Sequence, residues 1–122
     1  MTDYSNPHLA LAAHLEVDAS EVEPTKYDET EFTCQGAEYR VLSESERETA
    51  ADAALESYID ECLLAEVPKG SLGDTLRQYF DRDAWKRDAL LSDGYGHTLN
   101  GYDGSEEEQK IDGVWFYIYR VN

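Results

Sequence analysis

Glu44, Glu48, Asp52, Glu56 and Asp60 recur at every fourth position, and Glu61 follows the last of them. On an α-helix each four-residue step is about 6 Å of rise and about 400° of rotation, so the five carboxylates spread over about 24 Å in a shallow spiral. Such a row has no covalent chemistry to do. It is a line of fixed negative charge, and a DNA strand also presents negative charge on a spiral, one phosphate per roughly 3.4 Å of axis. Like charges four residues apart weaken a helix by a few tenths of a kcal/mol per pair, and no Lys or Arg interleaves with the row after Arg47. A solvated helix face has the same pattern, and the first acids also suit the positive end of the helix dipole. The whole-chain charge favours the stronger reading. Against 27 Asp+Glu there are 10 Lys+Arg, a net of −17, where solubility asks a small domain for a magnitude of about 2–8.

Other chemistry is sparse. His8 and His14 are six apart and fall on different helix faces, which makes them poor joint ligands. His97 lies in Asp93-Gly94-Tyr95-Gly96-His97, where Asp93 or Asp103 could approach its imidazole. A small enzyme using His97 is therefore a rival reading, but a catalytic site needs several groups in register and no nucleophile accompanies it. Cys34 and Cys62 have no metal-ligand spacing and read as reduced, buried thiols, Cys62 as a small core residue. Asp103, Glu106, Glu107, Glu108 and Asp112 supply oxygens of the kind calcium prefers, but lack the ordered loop spacing of a dedicated site. They read as an exposed hairpin approach. Neither a phosphate-binding glycine loop nor a basic patch is present, so the expectation is no catalytic residue, no metal and no cofactor.

The charge also limits partners. A field of this sign repels phosphate, excluding direct nucleic-acid binding and anionic membrane, and favours a basic protein partner. Residues 1–68 carry 17 acids and 3 bases, so most of the field comes from the first half. No run approaches the ~20 apolar residues of a membrane span. The opening MTDYSNPH has no basic or apolar leader character, giving the expectation of a cytoplasmic protein.

Local signals place these residues on elements. Asn6-Pro7 opens a short helix with Leu9, Ala12, Ala13 and Leu15 on its apolar side, and Asp18–Val22 suits another turn. Pro24 to Glu31 reads as a loop. Glu31–Cys34 and Ala37–Leu42 flank Gln35-Gly36 as a hairpin, with Phe32 and Cys34 on one face. Ser43-x-x-Glu46 is a capping box opening the acidic helix. Its buried stripe is expected at Ala51, Leu55, Tyr58, Ile59 and Cys62, and its end at Pro68 and Gly70. Leu72–Phe80 reads as a second helical segment anchored by Leu76, Tyr79 and Phe80. Asp81 caps a third, Arg82–Leu91. Gly94–Ser105 reads as a loop with a short strand at His97–Leu99. Gln109–Ile111 and Val114–Tyr119 flank Asp112-Gly113 as a second hairpin, whose last strand is apolar on both faces and so covered on both. The class is α+β: small antiparallel β-hairpins packed against three or four α-helices, in a single acidic domain over 1–122 with residues 1–42 as a candidate N-terminal lobe.

The run Leu63-Leu64-Ala65-Glu66-Val67-Pro68, then Leu76, Tyr79-Phe80-Asp81, Ala84-Trp85 and Arg87-Asp88, resembles the antirestriction motif region of ArdA proteins. The likeness covers residues 63–91. It departs from the family in the long stretch Lys69–Thr75, in Trp85 where Phe is usual, and in Ala89 before Leu90. The resemblance implies a phage- or plasmid-borne acidic mimic of DNA that binds type I restriction–modification enzymes in their basic DNA groove, commonly as a dimer, and so evades host defence without covalent chemistry. Read from the residues alone, Leu63, Leu64, Pro68, Tyr79, Phe80 and Trp85 serve packing, Asp81 caps a helix, and Arg87 and Asp88 meet a partner subunit or solvent. The expected target-binding surface is Glu44, Glu48, Asp52, Glu56, Asp60 and Glu61. The alternatives are an inhibitor of a CRISPR effector and an interaction module that mimics nothing.

Overall fold

Two dipeptides set the register of the sheet. Gln35 and Gly36 have φ of 52° and 82°, and Asp112 and Gly113 have 52° and 83°. Positive φ at both central residues is the two-residue turn whose twist matches that of paired strands. The first turn joins β2 (Glu31–Cys34) to β3 (Ala37–Ser43), and the second joins β4 (Glu107–Ile111) to β5 (Val114–Arg120). The computed structural model describes residues 4–25 and 29–122. Among these, β3 pairs with β5, with Val41 opposite Ile118 and Leu42 opposite Tyr117. That pairing merges the two hairpins into one antiparallel sheet of order β1-β2-β3-β5-β4. The two-residue edge strand β1 (Glu23–Pro24) lies within the segment expected as a loop, and residues 26–28 of that segment lie outside the described residues.

The sheet is covered on both faces, as the doubly apolar pattern of β5 requires. Phe116 and Ile118 point to one face with Phe32, Cys34 and Val41, and are covered by Ala10, Leu11 and Ala12 of α1 (Asn6–Leu15). Leu42 and Tyr119 point to the other face and meet Ala51 of α2 (Glu44–Tyr58) and Leu99 of α4 (Arg82–Leu99). β2 and β3 thus share one sheet with β4 and β5, and α1 shares a core cluster with β2, β3 and β5. The architecture is α+β, with helices on both faces of an antiparallel sheet. None of the described helices is long and apolar enough to cross a membrane.

Local capping follows the sequence closely. The Ser43 hydroxyl accepts from Glu46 N–H at 3.4 Å and the Glu46 carboxylate accepts from Ser43 N–H at 3.0 Å. Asp81 accepts from Ala84 N–H at 3.0 Å and opens α4. At the start of α1 the cap is Ser5 rather than Asn6, which places Pro7 in the first turn.

Other expectations fail. The acidic helix ends at Tyr58, well before Pro68, and passes into a π turn, Ile59–Leu63, closed by Leu64 N–H on Ile59 C=O at 2.8 Å. A π turn inserts a residue into the helical repeat, so the inward position after Ile59 falls on Leu64. Cys62 is exposed as a result, neither buried nor a core residue, and Tyr58 is nearly half exposed. Next, α3 (Ser71–Tyr79) turns Leu72, Leu76 and Tyr79 outward at 73%, 52% and 79% exposure. Leu76 and Tyr79 are therefore not packing anchors. What holds α3 is Gly73, whose missing Cβ would fall 1.6 Å from the Pro68 carbonyl oxygen, and Arg77, which donates to the Val67 carbonyl at 2.7 Å. Last, no strand forms at His97–Leu99. The chain breaks helical geometry at Gly94 alone, at φ 79°, and resumes the helix to Leu99.

Candidate functional site

The acidic row divides in two. Glu44 and Glu48 stand exposed on the first turns of α2, and Glu61 is exposed in the π turn. None of the three has an ion pair among the described residues. Asp52, Glu56 and Asp60 face α4 instead, where Arg82 and Lys86 stand four residues apart and insert between them. Lys86 Nζ lies 2.7 Å from Asp52 and 2.8 Å from Glu56. Arg82 lies 2.5 Å from Glu56 and 2.7 Å from Asp60. Cations and carboxylates alternate along the seam, and the repulsion expected within the row is offset from the neighbouring helix.

Protonation reflects this order. The hydrogen bond from Lys86, with that from Arg82, holds the Glu56 carboxyl below its ordinary range against the opposing effect of burial. Hydrogen bonds to Asp52 and Glu56 raise the Lys86 ammonium well above its ordinary value, and Asp60 does the same for the Arg82 guanidinium. The Lys86 side chain is only 11% exposed while the carboxylates it meets, Asp52, Glu56 and Asp83, are 39–95% exposed. The seam is therefore wet on its acidic side, and on its basic side Lys86 is shielded while Arg82 is about as exposed as Glu56.

On the sheet side of α2 sits a second charged group that sequence reasoning missed. The Arg47 guanidinium lies between the Tyr95 ring at 4.1 Å and the Tyr117 ring at 3.7 Å. It pairs with Glu106 at 3.1 Å, and Tyr119 donates its phenol hydrogen to the same carboxylate. Glu106 was expected in an exposed approach with Glu107 and Glu108; it is half-buried and they are exposed. Burial acts against the Arg47 charge but is outweighed by Glu106 together with Tyr117 and Tyr119. Burial, with the bond to Glu106, raises the Tyr119 phenol. No spacing rule links position 47 to 106, so only the odd placement of a lone Arg in an acidic helix signalled a partner.

The motif region is dispersed. Leu64 is buried, Leu63 and Phe80 are half-buried, and Pro68, Arg87 and Asp88 are exposed. Trp85 stacks on Tyr58 of α2 with ring centroids 5.7 Å apart and planes 9° from parallel. His8 is buried and bonds the Ala19 carbonyl at 2.7 Å, so it is a structural histidine. Asn100, also buried, organises the turn after α4: its Nδ2 donates to Asp103 and to the Ser105 carbonyl, and its Oδ1 accepts from Tyr102 and Asp103 N–H. Asp103 in turn accepts from Ser105 N–H and Oγ within that turn. The described residues hold no group of three His, Cys, Asp or Glu side chains able to bind a metal.

Fold and site together define an α+β scaffold carrying a carboxylate-rich helix braced by Arg82 and Lys86 of a second helix. No known protein family matches the chain, and neither a curated protein nor a solved structure does.

Proposed function

We propose that this chain is an acidic decoy that binds the basic groove of a DNA-handling defence enzyme and blocks it stoichiometrically. The type I restriction–modification complex is the target class that the ArdA resemblance favours, and a phage or plasmid the natural carrier. The observation that carries the reading is how the cations are spent. Of the five Lys and Arg on α2, α3 and α4, Arg47, Arg77, Arg82 and Lys86 are held in internal ion pairs and Arg87 has none among the described residues, so the helices present an excess of carboxylates. Glu44, Glu48 and Glu61 are the members of the row open to Lys and Arg that otherwise hold phosphate. Each contact displaces counterions, so binding weakens steeply with salt.

The test is competition with duplex DNA for the purified target. Glu44→Gln, Glu48→Gln and Glu61→Gln combined is expected to weaken inhibition by roughly tenfold or more and flatten the salt dependence, while the melting temperature holds. Simultaneous, mutually indifferent binding of DNA and protein to the target removes the decoy reading. A second reading has an observation of its own. Leu72, Leu76 and Tyr79 form an exposed apolar stripe on α3 at the spacing a helix uses to enter a partner's groove. If Leu76→Ser with Tyr79→Ser abolishes target binding and the acidic triple does not, the protein is an interaction module and its charge serves solubility.

A further inference from the structure

On the far flank of the α2–α4 contact from the ion-pair seam lies a cleft of about 280 Å³ lined by Ala54, Leu55, Tyr58, Trp85, Ala89 and Asp93, with His97 and Thr98 at one end. Two features make it a slot. Ala54 of α2 and Ala89 of α4 both put small side chains on its lining. At one end the stacked Tyr58 and Trp85 rings form a wall. Along α4, Trp85, Ala89 and Asp93 follow at four-residue steps, so the cleft runs for about 12 Å from rings to carboxylate. It is apolar at one end and over its middle, and polar at the other, where the Asp93 carboxylate stands with His97 and Thr98. Asp93 is exposed and has no ion pair among the described residues, unlike Asp52, Glu56 and Asp60 on the opposite flank.

We propose that this cleft receives an arginine side chain of the bound protein partner. A long side chain with an apolar stem and a cationic head matches the polarity along the slot. The guanidinium fork pairs with the Asp93 carboxylate, the stem lies over Ala89 and Ala54, and the rings cover the residue that carries it. A net charge of −17 concentrates cations at the mouth and opposes any anionic occupant. The inference rests on the decoy reading for the nature of the partner, a protein rich in Lys and Arg, and adds one aromatic, geometrically selective contact to a surface otherwise read by charge alone.

The test needs no target, so its outcome is independent of the decoy reading. Trp115→Phe leaves Trp85 as the sole tryptophan, and its emission and indole N–H resonance report occupancy. N-acetyl-arginine amide is titrated against the neutral isostere N-acetyl-citrulline amide at constant ionic strength. The expected result is a saturable response in the millimolar range for arginine and a response at least tenfold weaker for citrulline. Asp93→Asn brings arginine down to the citrulline level, and Ala89→Met, which fills the slot, removes both responses. Equal responses to the two amides, an unchanged response in Asp93→Asn, or no saturable response in the folded parent overturns the proposal. Should Ala89→Met fail to fold, the Asp93→Asn comparison decides alone, since Asp93 is exposed and has no hydrogen bond or ion pair among the described residues. A cleft that binds arginine in a protein that does not compete with DNA sinks the decoy and leaves the cleft standing; the reverse pair of results does the opposite.

Discussion

Arg47→Met is expected to cost about 3 kcal/mol of stability and to lower the melting temperature by about 10 °C. The side chain is 15% exposed and its partner Glu106 is 21% exposed, so neither charge is fully solvated. Methionine retains the stem that fills the space between Tyr95 and Tyr117 but removes the cation. Two losses combine. The stacking of a guanidinium between two rings is worth about 1–2 kcal/mol in a partly dry site. The larger loss is Glu106, left as a half-buried carboxylate with, among the described residues, only the Tyr119 hydroxyl as a donor. Because the fault lies in that stranded charge, Glu106→Gln added to Arg47→Met should recover part of the lost stability, and the double-mutant cycle gives the coupling. Thermal unfolding followed by circular dichroism measures all three variants. A melting temperature within a degree or two of the parent would show that the Tyr95–Arg47–Tyr117 stack fills space and nothing more.

The contrast between Arg47 and Ser43 shows what the sequence could reveal. Ser43 and Glu46 satisfy each other across one turn, as Asp81 does with Ala84, and the two Xaa-Gly turns need only their own backbone. Such devices are local, so residue type and spacing suffice to find them. The two-faced burial of β5 was legible for the same reason: alternate residues of one strand must go somewhere, and both sets were apolar. Arg47 with Glu106, and Arg82 and Lys86 with the acidic row, are tertiary pairs whose members are joined only after α4 and the sheet have docked. The second had a trace in the sequence, since 82 and 86 carry the same four-residue period as 52, 56 and 60, but nothing said that the two rows face each other. Cys62 failed for a subtler reason. The helical repeat was extended through Ile59, where the π turn shifts the phase and sends Leu64 inward in its place. Leu76 and Tyr79 failed because apolar spacing shows that a helix has a sided face and leaves open what covers it.

Whether Asp52, Glu56 and Asp60 belong to the target surface is decided by the clamp that holds them. Arg82→Gln with Lys86→Gln is expected to lower the melting temperature by about 5 °C at neutral pH and low salt, and to raise affinity for the basic target by roughly tenfold with a steeper salt dependence. Both effects have one source. Removing the cations leaves three carboxylates at helical spacing without partners, which loosens α4 on α2 and lengthens the row of charge open to the target. The stability effect has a pH window whose sign follows from the shifts. Glu56 is held below its ordinary value near 4.5, so its pairing stabilises the fold above that pH and is lost as pH falls through the lower folded value. Lys86 is held above its ordinary value near 10.5, so its pairing stabilises the fold below that pH and is lost as pH rises through the higher folded value. The gap between parent and variant should therefore be widest from about pH 5 to about pH 10 and close in acid. It should narrow in high salt too, because the acidic side of the seam is open to water. Unfolding curves across pH, beside target titrations at two salt concentrations, read out both effects. If stability falls as expected while target affinity stays put, the three clamped carboxylates are bracing, and the decoy surface reduces to Glu44, Glu48, Glu61 and the acids of the first half of the chain.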